Sequence, residues 1–258
     1  MTAVLGFCFM FVLTVLVLLS VAWSLWIRRF TWRCQWEVAA TLNVALMGLA
    51  ALLISPLASE TLGHWLHALT GEWNLQHYVG HDAWIVAASC ICCNAVGRLR
   101  SVDGRDTQTR FRLWVEYPAT LVIPINLALF TLSGATRTYY ADLFRDAPTN
   151  TNGWLIAYWM VLGGTLAHLA LYACRALLVL RQDPRSRRVA NIHLVAAGFG
   201  ALAALVRVVA APFNCHDGTI SLTLCFTCGI MFALIAAHSW RAKVRPYRSL
   251  ARMVGGRI

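Results

Sequence analysis

The sequence predicts an all-α membrane bundle of seven transmembrane helices, with the N-terminus outside, the C-terminus inside and one amphipathic helix on the outer face. Three observations support this fold class. The chain is 59% hydrophobic and only 13% charged, against roughly 45–50% and about 25% in soluble domains. Seven stretches are long and apolar enough to cross a bilayer, which takes about 20 residues. The basic residues cluster in alternate connections between these stretches, as the positive-inside rule requires.

The predicted spans follow one another along the whole chain. They are Ala3–Trp26, Val38–Ala58, Leu75–Val96, Leu113–Ser133, Trp154–Leu180, Val189–Phe213 and Thr219–Trp240. No basic residue precedes the first span, which favours an uncleaved anchor over a signal peptide. We therefore predict one transmembrane domain over residues 1–240 and a basic cytoplasmic tail over residues 241–258.

Local signals refine two parts of this layout. Pro118 and Pro124 each remove a backbone donor from the fourth span, which predicts a helix that is kinked or starts late. Small residues recur at a spacing of four in Gly163-x3-Ala167 and in Ala197-x3-Ala201. Such spacing lets two helix backbones approach closely in a membrane.

The charge distribution fixes the predicted orientation. Of 22 Lys and Arg residues, the connections after the first and third spans hold three and five, the connection after the fifth span holds five when Arg175 at the inner end of that span is included, and the tail holds six, which makes 19 on one side. Arg137 and Arg145 fall on the other side, and Arg207 falls within the sixth span. Basic clusters this short are typical of loops beside anionic lipid. We therefore expect a lipid bilayer as the partner of this surface, and no nucleic acid.

Residue usage points to a source and a compartment. All but one of the basic residues are Arg, and Ala, Gly and Val are abundant, which is typical of a GC-rich genome. We predict a high-GC bacterium or its phage, with the chain in the bacterial plasma membrane. Most of the nine cysteines lie within or at the ends of the predicted spans, where a buried thiol is the usual state.

An amphipathic pattern occupies the interval between the second and third spans. Apolar residues recur at i, i+3, i+4 and i+7, and polar ones fall on the opposite face. The apolar face is Leu62, Trp65, Leu66 and Leu69, and the polar face is Glu60, His64 and His67. This pattern predicts a helix that lies flat on the outer surface and ends at a C-cap glycine, Gly71.

Two ionisable residues fall inside predicted spans, at a depth of about 10 Å from the outer surface. Asp82 is in the third span and Arg207 is in the sixth, so they can meet as an ion pair. Together with His77 and His81 they form a predicted polar vestibule that opens to the outside. The alternatives are a purely structural pair, or an Arg207 side chain that extends outward to the interface.

Histidines are concentrated in the same region. His64, His67, His77 and His81 lie within eighteen residues of one another, and the last two share a helix face. These four are candidate zinc ligands, with Glu60 facing the same vestibule. The alternative is a hydrated rim rich in histidine, including a form of it that senses pH.

Polar residues also form a predicted inner layer. Its members are Asn43, Asn94, Glu116, His168, Arg175 and His193. Glu116 follows Arg112 by four residues and can pair with it along the helix. No Asp or Glu lies near the predicted midplane, where His168 is the closest ionisable group, and this argues against proton-driven transport. A haem between two of His168, His193 and His238 has no supporting pattern.

Motifs of enzymes are missing from the sequence. It contains no Gly-rich phosphate loop, no nucleophile elbow and no HExxH motif. Cys225-x2-Cys228 places two thiols on one face of a predicted span and does not indicate a zinc site. We therefore predict no catalytic residues and no cofactor.

One stretch resembles a known family. Pro56-Leu-Ala, Leu69-Thr-Gly71, Asn74-Leu75 and His81, before an apolar helix that ends in Arg98-x-Arg100, resemble actinobacterial multi-pass membrane proteins regarded as transporters. The resemblance covers about residues 50–100 and the seven-helix layout. Many members continue into a C-terminal cytoplasmic domain, and only eighteen residues follow Trp240 here. The resemblance implies a transporter and transfers no catalytic residue.

The leading hypothesis is a non-enzymatic, transporter-like membrane protein with a polar outer vestibule. The alternative is a sensor or accessory module that acts through a membrane or cytoplasmic protein partner, for example in phage exclusion or immunity. In that case the basic tail would contact the partner or anionic lipid.

Overall fold

The computed structural model describes residues 2–99, 104–147, 152–184, 186–213 and 218–253, and nearly all of them are helical. The helices are α1 (Thr2–Ile27), α2 (Gln35–Leu53), α3 (Pro56–Thr70), α4 (Leu75–Leu99), α5 (residues 104–132), α6 (Leu143–Asp146), α7 (Gly153–Leu180), α8 (Arg187–Ala210) and α9 (Gly218–Met253). The described part of the chain contains no strand. The predicted all-α class is confirmed.

Six helices are long and apolar enough to cross a membrane, and a seventh span results if α2 and α3 are taken as one bent span. The axes of α2 and α3 differ by 63°. A multi-pass membrane protein is therefore confirmed. The count of seven spans and the orientation stay predictions.

Five of the helices form a closed ring, which we call the five-helix ring. Around the ring α2 packs on α4, α4 on α7, α7 on α8, α8 on α9, and α9 on α2. Outside the ring, α1 packs against α9 and α2, and α5 packs against α7 and α4. The arrangement leaves a central axis that is bounded by helices on all sides.

The two ends of the bundle differ in chemistry. Arg28, Arg98 and Ser186 lie around one cavity at one end, which we call the basic end. At the opposite end the Asn74 side chain donates to the carbonyls of Ala135 and Thr138. The basic end is the side predicted to face the cytoplasm.

Close packing between α7 and α8 depends on Gly163. A Cβ atom at this position would lie 2.6 Å from a Val208 methyl carbon and 3.0 Å from the Ala204 carbonyl oxygen. A side chain of any size would therefore push the two backbones apart. The predicted contact through small residues is confirmed at Gly163.

We expect Gly163→Ala to lower the free energy of unfolding by about 1–3 kcal/mol, the usual cost of overpacking. Gly164→Ala is the matched control, because a Cβ there meets nothing within 4 Å. The control should leave the free energy of unfolding unchanged or raise it by up to about 1 kcal/mol, because alanine has a higher helix propensity than glycine. Thermal unfolding of both variants in detergent measures the difference, and equal stabilities would contradict the packing role.

The second predicted span is wrong at its end. We expected a helix through Ala58, whereas α2 ends at Leu53 and α3 begins at Pro56. Ser55 causes the break, because its extended backbone places its hydroxyl to accept from the Ala58 N–H at 3.3 Å. Proline suits the first position of a helix, where its missing N–H costs nothing.

The end of α3 is as predicted. The helix stops at Thr70, and Gly71 adopts the left-handed conformation with φ of 76°. Trp65 and Leu69 leave 59% and 65% of their surface exposed, which is consistent with an apolar face turned toward lipid.

The fourth span starts earlier than predicted and contains a π-helical segment. α5 runs through Gly104–Phe111, the π-helical residues Arg112–Glu116, and then Tyr117–Leu132. An α-helical hydrogen bond to the Trp114 carbonyl would need an N–H at position 118, and proline has none. The Nε2 atom of His168, on α7, lies 2.8 Å from this carbonyl and replaces the lost donor.

The last helix continues beyond the predicted seventh span. α9 extends without interruption through Met253, so the first part of the predicted tail is helical. Residues 254–258 lie outside the described part of the chain. The division into a membrane domain and a tail stays a prediction.

Candidate functional site

A cavity opens at the basic end, inside the five-helix ring. Its lining includes residues of all five ring helices, and its empty volume is about 710 Å³ when counted to its open mouth. Three members of the predicted inner layer meet here: Asn43, Asn94 and His193. Arg98 and Ser239 complete much of the polar surface. Three of the six residues of the predicted inner layer therefore lie around one cavity.

Two of these side chains keep a polar atom available to the cavity. Asn43 is 4% exposed, and its Oδ1 atom has no hydrogen-bond partner in the described part of the chain. His193 donates from Nδ1 to the Val189 carbonyl at 2.9 Å. In the neutral tautomer this leaves Nε2 as an acceptor. The cavity can thus form hydrogen bonds with a bound molecule.

The other three members of the inner layer lie elsewhere. Glu116 lies 3.9 Å from Arg112, and both side chains are largely exposed, so the predicted pairing along the helix is confirmed. His168 is engaged by the Trp114 carbonyl. Arg175 is exposed on α7. None of these three lines the cavity at the basic end.

The middle of the ring holds a second, apolar cavity. It is lined by Met47, Trp84, Leu166, Cys225, Cys228 and Phe232, among others. Ile91 and Phe232 also line the cavity at the basic end. The two cavities therefore adjoin each other along the central axis.

A third cavity continues the series toward the opposite end. It shares Trp84, Leu166, Gly200 and Cys225 with the middle cavity. It also reaches Arg207, Trp159, Phe144 and Ser221. The three cavities together follow the axis of the ring, and we call them the central path.

Aromatic rings and one arginine close the central path at its far end. The guanidinium of Arg207 lies 4.0 Å from the ring centre of Trp159 and 5.4 Å from that of Phe144. Its Nη1 atom donates to the Phe144 carbonyl at 3.4 Å. Arg207 is only 5% exposed. We call Arg207, Trp159 and Phe144 the plug.

The structure does not bring Asp82 and Arg207 together as an ion pair. Asp82 belongs to α4, one turn after Tyr78, and the hydroxyl of Tyr78 donates to the Ile123 carbonyl on α5. The depth of a residue in the membrane follows from its sequence position, but the direction in which its side chain points also depends on how the helices rotate. The predicted pairing of these two residues is therefore wrong.

His77 and His81 are fully buried rather than lining an open rim. His81 Nδ1 lies 2.5 Å from the Tyr158 hydroxyl, and His77 Nε2 lies 3.1 Å from the Ser59 hydroxyl. The ring of His81 also packs edge-on against Trp159, at 5.2 Å between centroids. His81 thus packs directly behind the plug, and the His77 ring lies next to that of His81, at 6.5 Å between centroids.

Several buried polar atoms near the plug have no hydrogen-bond partner among the described residues. They are His77 Nδ1, His81 Nε2, Gln76 Oε1, Asp82 Oδ1 and Trp159 Nε1. Buried polar groups are nearly always satisfied by protein or by ordered water. These atoms are therefore candidates for hydrogen bonds with ordered water.

His64 and His67 belong to a separate, surface group. His67 stacks on Trp73 at 3.7 Å between ring centroids, and His64 packs edge-on against the same ring at 5.1 Å. The Tyr139 hydroxyl donates to Glu60 at 2.7 Å. Burial, together with this hydrogen bond, raises the pKa of Tyr139 to about 12. No three His, Cys, Asp or Glu side chains group as a metal site in the described part of the chain.

Arg28 forms a buried network at the basic end that sequence reasoning missed. Its guanidinium donates to the Thr41 hydroxyl at 3.1 Å, to the Ala236 carbonyl at 3.0 Å and to the Glu37 carboxylate at 2.9 Å. Lys243 pairs with the other carboxylate oxygen of Glu37. The network joins α1, α2 and α9. Glu37, an acidic residue next to a basic connection, was the available signal.

Sequence reasoning also missed the aromatic part of the site. Tyr158 and Trp159 are both 0% exposed. In the sequence they form an aromatic pair within an apolar span, which does not distinguish them from ordinary core residues. Phe144 belongs to the short helix α6, in the connection between the fourth and fifth predicted spans. Only the packing of α6 against α9 places that residue beside the central path.

No protein-family model, curated protein or solved structure matches this chain. The resemblance to actinobacterial transporters therefore stays a prediction.

Proposed function

We propose that this protein is a membrane carrier that moves a small solute along the central path by alternating access. The observation that supports the proposal is the series of three cavities with shared lining residues inside one closed ring of helices. A receptor or scaffold needs one binding surface and has no need of a path along its axis. The resemblance to transporters agrees with this role, which requires no catalytic residue.

One end of the central path is open and the other is closed. A carrier needs this difference, because only one of its ends is open at any one moment. The polar cavity lies at the mouth of the basic end, whereas the plug of Arg207, Trp159 and Phe144 closes the far end. The arrangement corresponds to a state that is open toward the basic end. A second state would separate Arg207 from Trp159 and wet the unpartnered atoms of His81 and Trp159.

Sided cysteine labelling tests the carrier. In a background without the nine native cysteines, Asn94→Cys reports on the basic-end cavity and Ser221→Cys on the cavity behind the plug. We expect a membrane-impermeant methanethiosulfonate to reach Asn94→Cys from the basic side. It should reach Ser221→Cys from the opposite side, at roughly 0.1–10% of the rate at a freely exposed site, because the second state is a minor one.

Arg137→Cys is the control for that opposite side, because Arg137 is exposed in the loop after α5. Reaction of Arg137→Cys from one side alone also fixes the orientation of the chain. If Arg137→Cys reacts while Ser221→Cys never does, the far end does not open. That result would refute the carrier and favour the sensor or accessory module.

A further inference from the structure

We propose that the solute is a small organic anion with an apolar body, of the class of medium-chain monocarboxylates. This inference rests on the proposed function and identifies its substrate class. It follows from the order of chemistry along the central path, which is cationic at its mouth and apolar in the middle. Each part of that order restricts the solute in a different way.

The mouth of the path selects charge. Among the described residues that line the basic-end cavity, Glu37 is the only carboxylate, and both of its oxygens are engaged, one by Arg28 and one by Lys243. Arg98 lines the same cavity, and among the described residues no carboxylate forms an ion pair with it. The cavity therefore has a net positive wall, which attracts an anion and repels a cation.

Neutral groups in the same cavity suit a carboxylate in particular. Asn94 and Ser239 lie in the lining with Arg98. A guanidinium binds a planar carboxylate with two parallel hydrogen bonds, and amide or hydroxyl donors can bind the remaining lone pairs. A single anionic head fits this set.

The middle of the path selects the body of the solute. Its wall is formed by side chains such as Trp84, Ile91, Leu166 and Phe232, together with Cys225. A sugar, a free phosphate or a dicarboxylate would lose its hydration there without gaining hydrogen bonds, which costs several kcal/mol for a charged group. An alkyl chain instead gains free energy by leaving water.

Binding to the full-length protein in zwitterionic nanodiscs, measured by calorimetry against empty nanodiscs, tests this substrate class. The probes are acetate, butyrate and hexanoate, with hexylammonium and hexanol as charge controls. We expect hexanoate to bind best, and each added methylene to strengthen binding about fourfold. Hexylammonium should not bind measurably above the empty nanodiscs.

Two variants locate the probe. Arg98→Gln should weaken hexanoate binding about tenfold, the value of one charge-assisted hydrogen bond. Arg175→Gln is its matched control, since Arg175 is exposed and outside the cavity, and it should bind like the parent. Ala88→Leu narrows the middle cavity, which Ala88 lines. In this variant the affinity should therefore increase less from acetate to butyrate to hexanoate than it does in the parent.

The outcomes separate the two proposals. Equal binding of hexanoate and hexylammonium, or equal loss in Arg98→Gln and Arg175→Gln, would overturn the anion assignment, whatever the labelling of Ser221→Cys shows. Hexanoate binding without labelling of Ser221→Cys would keep the anion site and refute the carrier.

Discussion

We expect Arg28→Ala to lower the free energy of unfolding by about 3–5 kcal/mol, the usual cost of removing one partner from a buried ion pair. Arg28 is 1% exposed and its guanidinium satisfies three different groups on two other helices. Its removal leaves the Glu37 carboxylate, itself 4% exposed, with Lys243 alone. Reversible unfolding in mixed micelles measures the loss.

Arg29→Ala is the matched control, because Arg29 follows directly in the sequence and is exposed. Its guanidinium lies over the rings of Trp26 and Phe30, at 4.6 and 4.9 Å, and such exposed contacts contribute about 0.5–1 kcal/mol. Arg28→Lys should recover part of the loss, since an ammonium keeps the charge but cannot reproduce the planar set of donors. Equal losses in Arg28→Ala and Arg29→Ala would show that the network adds no stability.

The Arg28 network also affects how the proposed carrier would move, because it joins the helices on one side of the basic-end cavity. Arg28 and Glu37 line the basic-end cavity, and the carbonyl of Ala236 ties them to α9. Because α1, α2 and α9 are joined here, we expect this side of the cavity to move least. Motion that opens the far end is then expected in the elements without such a network, α6 and the outer halves of α7 and α8 around the plug.

Much of the fold was predictable because membrane spans depend on one property, a long apolar run. Gly153–Leu180 and Leu75–Leu99 lie within three residues of their predicted bounds at each end. The boundary between α2 and α3 was not predicted, because Ser55 and Pro56 lie inside an apolar stretch and hydropathy alone carries no capping signal. Capping is a property of individual residues, and it decided the outcome there.

The candidate site was less predictable than the fold. Asn43, Asn94 and His193 lie together in the lining of the basic-end cavity, whereas Arg175, which belongs to the same predicted layer, is exposed outside it. Asp82 and Arg207 were paired by their depth, yet Arg207 instead stacks on Trp159. Helix rotation is set by packing between side chains that are distant in sequence, and one sequence does not reveal it.

Asn74 holds the start of α4 in a conformation that few residues adopt. Asn74 is 1% exposed and has a positive φ of 60°. Its Nδ2 atom donates to the carbonyls of Ala135 and Thr138, both at 2.7 Å, and its Oδ1 atom accepts from the Tyr140 N–H at 3.3 Å. One side chain thus joins the start of α4 to the loop after α5.

We expect Asn74→Ala to lower the free energy of unfolding by about 2–4 kcal/mol, from buried groups left unpaired and from a left-handed conformation that alanine disfavours. Asn74→Gly loses the same hydrogen bonds but adopts this conformation freely. Its free energy of unfolding should therefore be about 1 kcal/mol higher than that of Asn74→Ala. Thr131→Ala is the control, because its exposed hydroxyl bonds only within its own helix. Unfolding in mixed micelles ranks the three variants. Glycine and alanine variants of equal stability would exclude the backbone contribution, and an Asn74→Ala as stable as Thr131→Ala would exclude the loop contacts as well.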